Sequence, residues 1–475
     1  MNVKLARPRP VDRESSFLVN ELFFSTTDMI GNITSGNSVF IRVSQYDKSE
    51  LIGSPHNIIR HPDMPRIVFK VLWDSLKAKK PVVAYVKNMT KEGLYYWVLA
   101  SVFPVSRGYL SIRLKPTSEI FNLIAPIYKQ LLAAEESGGM EASLKLLLEI
   151  LQSKGFDDYD SFMSTVLIEE LNSRERLIKA QSRGDLSELA LSQGQNSDQQ
   201  GIVDLLNEIR ALCTDVFAAF ERLSKDFDNL LIVEKTLAST STSVLNFSDQ
   251  ISILSLNVNI NSYFAGESGR TLSVVSKTIN VKTEEVEHFT QAIVKCSKDI
   301  STYSRKLAFH TSTSRLQIAM INAFIQELYE NSLQRKLNAD EIMEMRSNIL
   351  ALINLFTNTF SQLASILIPI GGKIKDILGL IDSINSSIYE LERCNFLGNI
   401  EAAVIGEKGT KFTLTFSEIK DSTEVTKQSL FEFRRYLDSV IGTAKAIERT
   451  NTKIADHVSS IKEVVEKLKF VEEPV

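Results

Sequence analysis

Several features that mark common protein classes are scarce in this 475-residue sequence. The three cysteines lie far apart and form neither a metal-ligand cluster nor a paired framework, which suits a reducing compartment. The formal net charge is only −4, which gives no reason to expect nucleic-acid binding. No Gly-rich phosphate loop and no nucleophile constellation is present, so we predict that the chain is not an enzyme.

Long apolar segments are also rare. The first 20 residues contain no apolar core of the kind that a signal peptide needs. The uncharged stretch 347–372 is long enough to span a bilayer, but three asparagines and a glutamine interrupt it every four to six residues. We therefore expect a cytoplasmic protein without a membrane span, in which residues 347–372 form a buried bundle helix.

After an N-terminal segment at 1–21, residues 22–118 have a mixed pattern. The segments Tyr95–Val98 and Tyr109–Arg113 are rich in aromatic and β-branched residues and lie between Gly or Pro residues, which is typical of strands. Residues 48–80 instead have apolar residues at helical spacing. This order predicts a compact α+β domain of the size of a sensor.

The rest of the chain has the pattern of a mostly α-helical protein. Residues 119–181 predict a helical connector, with an aspartate of the segment GFDDYDSFM as a helix N-cap, and residues 182–201 read as a polar linker. From Ile202 onward apolar residues recur at alternating steps of three and four. Such a heptad places one apolar stripe against a partner helix, as in a coiled coil.

This helical region contains an internal repeat. Residues 253–275 and 394–416 each end an apolar-rich helix, carry a G-E-x-G motif and then resume helical periodicity. The glutamates of the two motifs, Glu267 and Glu407, are 140 residues apart. The paired glycines would permit tight chain reversals. The repeat predicts two helical hairpins, 202–335 and 336–475, that pack as an antiparallel four-helix rod, an intrachain pseudo-dimer. The alternative is that the glycines are chance breaks in one irregular bundle.

The segment Pro55–Pro65, PHNIIRHPDMP, resembles the PAS domain of bacterial aerotaxis receptors, and the similarity extends over roughly 25–115. Such PAS domains bind FAD and report redox state or oxygen. The resemblance implies cofactor contacts for five residues: Arg60, His61, Asp63, Trp73 and Asn88. Val82 stands where the family has a second tryptophan, so one flat aromatic surface for the ring is missing.

Residue chemistry is compatible with that cofactor. Arg60 can hold a phosphate or an acidic partner, Trp73 offers a flat apolar face, and Asn88 can donate and accept at a heterocycle edge. Other interpretations stay open, because Trp73 could be a core residue and Asp63 could cap the helix that follows it.

A second cofactor is a less favoured alternative. His56 and His61 place two of the five histidines within six residues, which raises haem ligation as a hypothesis. A lone histidine is more often structural, and no haem signature accompanies this pair.

The two G-E-x-G segments resemble the cytoplasmic hairpin tip of methyl-accepting chemotaxis proteins, the chemoreceptors. In that family the tip contacts partner receptors, an adaptor and a histidine kinase. The resemblance implies four contact positions here: Asn257, Glu267, Glu401 and Glu407. Phe264 and Val404 replace the arginine of the family, and this loss of charge is expected to alter or abolish such contacts.

Together these patterns predict a cytoplasmic signal-transduction protein of the chemotaxis or aerotaxis type. It would sense redox state or oxygen through a flavin-binding PAS domain and relay the change through a chemoreceptor-like rod. Chemotaxis kinase, adaptor or receptor-array proteins are the candidate partners, and the chain would be a monomeric pseudo-dimer or a homodimer. The alternative is a non-catalytic scaffold or array-associated protein whose PAS domain binds a partner and no cofactor.

Overall fold

The structure, a computed structural model, describes residues 8–182, 200–334 and 338–467. Nearly all of the predicted linker at 182–201 lies outside the described residues, as does the junction of the two predicted hairpins. The chain divides into two compact units. The first consists of Met1–Glu221, Ala308–Leu363 and Thr452–Val475, and the second of Arg222–Leu307 and Ala364–Asn451.

An antiparallel sheet forms the centre of the N-terminal domain. Its described strands are β1 (Val11–Glu14), β2 (Phe23–Thr27), β3 (Ile33–Gly36), β4 (Val82–Met89), β5 (Leu94–Val105) and β6 (Gly108–Leu114). The order is β3-β2-β6-β5-β4, and β1 pairs in parallel with the start of β5. β5 and β6 contain the two predicted strands, whereas the sequence pattern of residues 1–21 does not predict β1.

Short helices connect β3 to β4: α1 (Ser38–Ser44), α2 (Lys48–Leu51) and α3 (Arg66–Lys77). α3 follows Pro65, which provides no side-chain cap. The Glu135 carboxylate, from α4 (Ile124–Ser153), instead accepts hydrogen bonds from the first two backbone N–H groups of α3, at 3.0 and 2.7 Å. The interpretation of Asp63 as the cap of this helix is therefore wrong.

Two connector helices, α4 and α5 (Tyr159–Ser182), pack against the domain. The Asp158 carboxylate accepts a hydrogen bond from the Ser161 backbone N–H at 2.7 Å, so an aspartate caps α5 as predicted. On the sheet side of α5, Met163, Val166 and Leu167 are buried. All seven residues of β6 are buried, although their side chains alternate between the two faces of the sheet.

Four long helices follow: α6 (Gln200–Ala265), α7 (Arg270–Gln334), α8 (Ala339–Val404) and α9 (Thr410–Lys467). In the second unit each helix bonds to its neighbours around a ring. The contacts are Ser255–Ser276 for α6 and α7, Glu285–Ser387 for α7 and α8, Glu392–Lys427 for α8 and α9, and Gln250–Ser422 for α6 and α9. Within this unit, segments from both halves of the repeat therefore pack as one four-helix bundle in a single chain.

In the first unit the N-terminal domain lies directly against α7 and α8. The Phe24 ring on β2 packs edge-on against the Phe324 ring, with centroids 4.8 Å apart. The Asn348 amide donates to the Ser35 hydroxyl at 2.9 Å, and Lys48 forms an ion pair with Glu344. Residues 347–372 thus belong to a packed helix, and no described helix has a stretch both long and apolar enough to cross a bilayer.

The two G-E-x-G turns have the same local structure. Gly266 and Gly406 have φ angles of 66° and 70°, in the left-handed region that favours glycine. Each of the ten residues 261–270 has the same burial class as its counterpart among 401–410. The structure therefore confirms that the glycines mark equivalent chain reversals.

Alanine at Gly269 or Gly409 should destabilise the hairpins. A Cβ atom there would lie 2.2 Å from the backbone oxygen of Ser262, or 1.8 Å from that of Ala402, so the backbone has to move. We expect each substitution to lower the free energy of unfolding by about 1–3 kcal/mol in chemical denaturation. Gly379→Ala in α8, where nothing lies within 4 Å, is the control and should be neutral or stabilising. Equal effects at Gly269 and Gly379 would contradict this explanation.

Candidate functional site

A cavity of about 400 Å³ lies inside the N-terminal domain, between the sheet and α3. Helix α3 contributes Phe69, Leu72, Trp73 and Leu76, and the 3₁₀ turn His56–Ile59 with its flanks contributes His56, Asn57 and Arg60. The strands contribute Ser25, Val86, Asn88, Ala100, Val102, Tyr109, Ser111 and Arg113. This volume falls within the range of roughly 300–1,000 Å³ that is usual for small-molecule and cofactor sites.

Strand alternation explains why polar groups face this cavity. In β6 the side chains of Tyr109, Ser111 and Arg113 share one face, and this face lines the cavity. Leu110 and Ile112 point to the opposite face, which is also buried. The polar residues therefore face the interior of the domain, not solvent.

Arg113 is the central charged group of the cavity. It is 3% exposed, and its Nη2 donates to the Ser25 hydroxyl at 2.8 Å and to His56 Nε2 at 2.6 Å. Its Nη1 and the hydroxyl of Ser111 are buried without a hydrogen-bond partner. Burial lowers the pKa of Arg113 to about 10, so the side chain is still a cation at neutral pH. No carboxylate of the described residues forms an ion pair with it.

His56 is held in its neutral form beside this cation. Its ring stacks on Phe40 with the two planes 3° apart. Burial, and next the charge of Arg113, lower the pKa of His56 to about 3. A neutral imidazole can accept the Arg113 hydrogen bond at Nε2, whereas an imidazolium could not.

The depressed pKa of His56 predicts a pH dependence of stability. Between about pH 6.5 and 3 the unfolded chain binds a proton at His56 that the folded chain does not bind. Folding stability should therefore fall on acidification through this window, with a slope of up to about 1.4 kcal/mol per pH unit from this group. Denaturation of wild type and His56→Gln at several pH values measures the difference in slope. Identical slopes would contradict the assignment.

The cavity includes three of the five residues predicted to contact a cofactor. The Arg60 guanidinium donates to the Met64 carbonyl at 2.8 Å and lies over the Phe69 ring. Trp73 meets Tyr109 edge-on at 5.3 Å, and Asn88 is buried. Because Trp73 lines the cavity, it is not only a core residue.

The other two predicted residues lie outside the cavity lining. His61 is buried, its backbone N–H bonds to the Lys87 carbonyl, and its Nδ1 accepts from the Asp63 N–H at 3.1 Å. The Asp63 carboxylate is 60% exposed and pairs with Lys87 at 2.7 Å. The Asp63–Lys87 ion pair holds the loop that precedes α3, and α3 in turn lines the cavity.

Sequence reasoning missed Arg113 and Ser111 as site residues. Both belong to the segment GYLSIR, where polar and apolar residues alternate. Alternation alone assigns the polar set to solvent. Only the cover of this polar face by α3 and the 3₁₀ turn His56–Ile59 reverses that assignment.

At the two turns the predicted contact residues are accessible to different degrees. Asn257, Glu267 and Glu407 are exposed, and Glu401 is half-buried. Large apolar side chains are exposed at equivalent positions of the two repeats, namely Leu256 and Phe396, Ile260 and Ile400, Phe264 and Val404, and Val274 and Leu414. Both copies of the repeat thus present the same apolar positions.

No group of three or more potential metal ligands was found among the described residues.

Comparison with known proteins supports the N-terminal assignment. The profile of the PAS fold matches residues 33–110. The aerotaxis receptor of Escherichia coli is 44% identical over 118 residues, which are 24% of this chain and 23% of the receptor. The chain thus spans less than a quarter of the length of this relative.

Two solved structures, one of a light-oxygen-voltage domain and one of a fungal photoreceptor of that type, also match. They are 18% and 17% identical, over 24% and 23% of this chain and 85% and 81% of theirs. Their TM-scores of 0.19 and 0.18 are too low to carry weight. The fold, the family profile and the similarity to the receptor show that the N-terminal region of this chain is a PAS domain homologous to that of an aerotaxis receptor.

Proposed function

We propose that the PAS domain binds a flavin, with FAD as the specific cofactor, and senses redox state or oxygen. The observation that carries this proposal is the buried Arg113 cation, whose Nη1 has no hydrogen-bond partner among the described residues. A buried charge without an opposite charge beside it is costly, and an electron-rich ligand would offset that cost. The identity to the aerotaxis receptor supports the same conclusion.

The residues present fit such a ligand. Trp73 offers a flat face, Asn88 and Ser111 offer donors and acceptors, and Arg113 offers a positive charge. When bound, a flavin supplies reversible electron acceptance. The chain itself would orient the flavin ring and exclude water from it. The positive charge of Arg113 would favour the redox state of the flavin that carries more negative charge.

The geometry favours flavin over haem. Iron coordination needs a free imidazole nitrogen, but His56 Nε2 already accepts from Arg113 at 2.6 Å. His61 lies outside the cavity lining. A haem would therefore require loss of the His56–Arg113 hydrogen bond.

Titration of the purified apo chain with FAD, followed by flavin fluorescence, tests binding. The two tryptophans provide a matched pair, since both are half-buried but only Trp73 lines the cavity. Trp73→Leu should weaken binding several-fold, whereas Trp97→Leu should leave it near the wild-type value. No binding to wild type would overturn the proposal and favour a scaffold whose PAS domain binds a protein partner.

For the whole chain we propose a cytoplasmic, non-enzymatic signalling role. The change in the PAS domain would pass through α4 and α5 to a chemoreceptor-like pair of hairpins. Chemotaxis kinase, adaptor or receptor-array proteins are the proposed partners, through tip positions that include Asn257, Glu267, Glu401 and Glu407. The equivalent G-E-x-G turns of the two repeats support this assignment.

We further propose that the chain is a monomer in which the two hairpins form a pseudo-dimer. The bonds from α7 to α8 and from α6 to α9 join both hairpins within one chain, so a second copy is not needed to complete the bundle. Light scattering should give a mass near that of one chain, 53.3 kDa. An obligate dimer with the helices as its interface would count against the proposal.

A further inference from the structure

Strand β4 links the cavity to the opposite side of the sheet. Val86 and Asn88 line the cavity, while Tyr85 points to the other face. There its hydroxyl donates to the carboxylate of Glu170 on α5, at 2.7 Å. Burial and the neighbouring Glu170 charge raise the pKa of Tyr85, which keeps the hydroxyl protonated as a donor.

Glu170 is a fully buried carboxylate with no cationic partner in the described structure. It accepts hydrogen bonds from the Thr117 N–H at 2.6 Å, the Ser118 N–H at 2.9 Å and the Ser118 hydroxyl at 2.8 Å. Thr117 and Ser118 are the residues through which the chain leaves β6, the strand of Arg113. One carboxylate on α5 therefore joins two cavity-lining strands.

The same helix is fastened to the helices that follow. Five residues after Glu170, the Glu175 carboxylate pairs with Arg315 of α7 at 2.5 Å, and the Arg315 side chain is 13% exposed. Lys179 bridges Glu175 and Glu221 of α6, at 2.5 and 3.5 Å. α5 is thus bonded to the sheet through Glu170 and to α6 and α7 through its next turns.

We propose that α5 is the coupling element of the sensor, and that Glu170 is the positioning residue that passes a change in the cavity to α7. A shift of β4 or β6 changes the donors around Glu170, and α5 carries the change to the Glu175–Arg315 pair. This inference rests on the proposed flavin function, because the flavin supplies the two states. It narrows the proposed route from the two connector helices to α5 alone.

Helix α4 also contacts β4, which provides the matched control. The Tyr128 hydroxyl on α4 donates to the Tyr85 backbone oxygen at 2.7 Å, and Tyr128, like Tyr85, is a buried residue. Tyr85→Phe and Tyr128→Phe each delete one buried hydroxyl and one hydrogen bond at the same strand residue. Only Tyr85→Phe cuts the link to Glu170.

Amide hydrogen exchange of the full chain, with bound FAD oxidised and then reduced by dithionite, tests the coupling. In wild type and Tyr128→Phe we expect exchange in residues 308–320 of α7, which flank Arg315, to differ between the two states. In Tyr85→Phe this difference should fall by more than half, although the absorption spectrum shows normal binding and reduction. By reciprocity, uncoupling should also shift the midpoint potential of the bound flavin.

Glu170→Gln is the second variant: it removes the charge, but its amide can still bond to the Tyr85 hydroxyl, so it should keep more of the state difference than Tyr85→Phe does. An undiminished state difference in Tyr85→Phe, or an equal loss in Tyr128→Phe, would overturn the proposal. Absence of FAD binding in wild type would refute the sensor function itself, and the absorption spectrum separates that result from a failure of the coupling.

Discussion

Replacing Arg113 by methionine should weaken FAD binding by about 10- to 100-fold while leaving the apo domain folded. The size follows from loss of a buried charge-assisted hydrogen bond, worth about 1.5–3 kcal/mol. In the apo chain the substitution removes a buried cation that has no carboxylate partner among the residues that the structure describes, and Ser25 can still bond to His56, 3.4 Å away. The free energy of unfolding without ligand should therefore stay constant or increase. Fluorescence titration and urea denaturation measure the two effects separately.

Arg42→Met is the control for this substitution, because Arg42 is an exposed arginine of the same domain that pairs with Glu21. It should change neither affinity nor stability by more than a few tenths of a kcal/mol. Arg113→Lys keeps the charge and should retain more affinity than Arg113→Met. If Arg113→Met bound FAD as tightly as wild type, the charge would have no role in the site.

Glu170→Ala should be among the most destabilising single substitutions in the chain. It leaves the Tyr85 hydroxyl, two backbone N–H groups and the Ser118 hydroxyl buried without their acceptor. Each buried donor that loses its partner costs about 1–3 kcal/mol, and partial rearrangement reduces the sum. We expect a loss of about 3–5 kcal/mol in the free energy of unfolding.

Glu169→Ala is the matched control for Glu170, since the neighbouring glutamate lies on the same helix but is exposed. It should change stability by no more than about 0.5 kcal/mol. Similar losses of stability at the two positions would mean that α5 is destabilised by any substitution. The hydrogen bonds of Glu170 would then contribute no more to stability than an exposed glutamate does.

Much of the fold follows from local patterns in the sequence. The aromatic and β-branched segments around Tyr96 and Leu110 lie in strands, and the G-E-x-G motifs lie in turns, because both signals depend on local backbone preferences. Strand β1 lacks such a signal: its four residues, VDRE, are all exposed, and pairing with β5 alone defines it.

The candidate site was only partly predictable because its composition depends on tertiary packing. Trp73 and Asn88 were found through a family resemblance, while Arg113 was hidden in an alternating strand whose two faces are both buried. Asp63 was predicted from the same family resemblance, but its carboxylate is 60% exposed, pairs with Lys87 and lies outside the cavity lining. Val82, at the position of the missing tryptophan, is buried in β4 and is not part of the lining.

The sequence pattern likewise does not predict how the PAS domain packs on the long helices. Phe24 reads as an ordinary strand residue, yet its ring contacts Phe324, 300 residues away along the chain. Ser35 and Asn348 form a hydrogen bond over a similar separation. Such contacts depend on how two folded elements meet, which no local periodicity encodes.

The absorption spectrum of the purified chain, reconstituted with FAD and then reduced, shows whether this PAS domain is a flavin sensor. We expect a protein-bound flavin spectrum that bleaches on reduction and returns on exposure to air. We also expect that Arg113→Met loses the flavin on gel filtration while Arg42→Met retains it. A Soret band, or the absence of any chromophore after reconstitution, would contradict the assignment of this PAS domain as a flavin sensor.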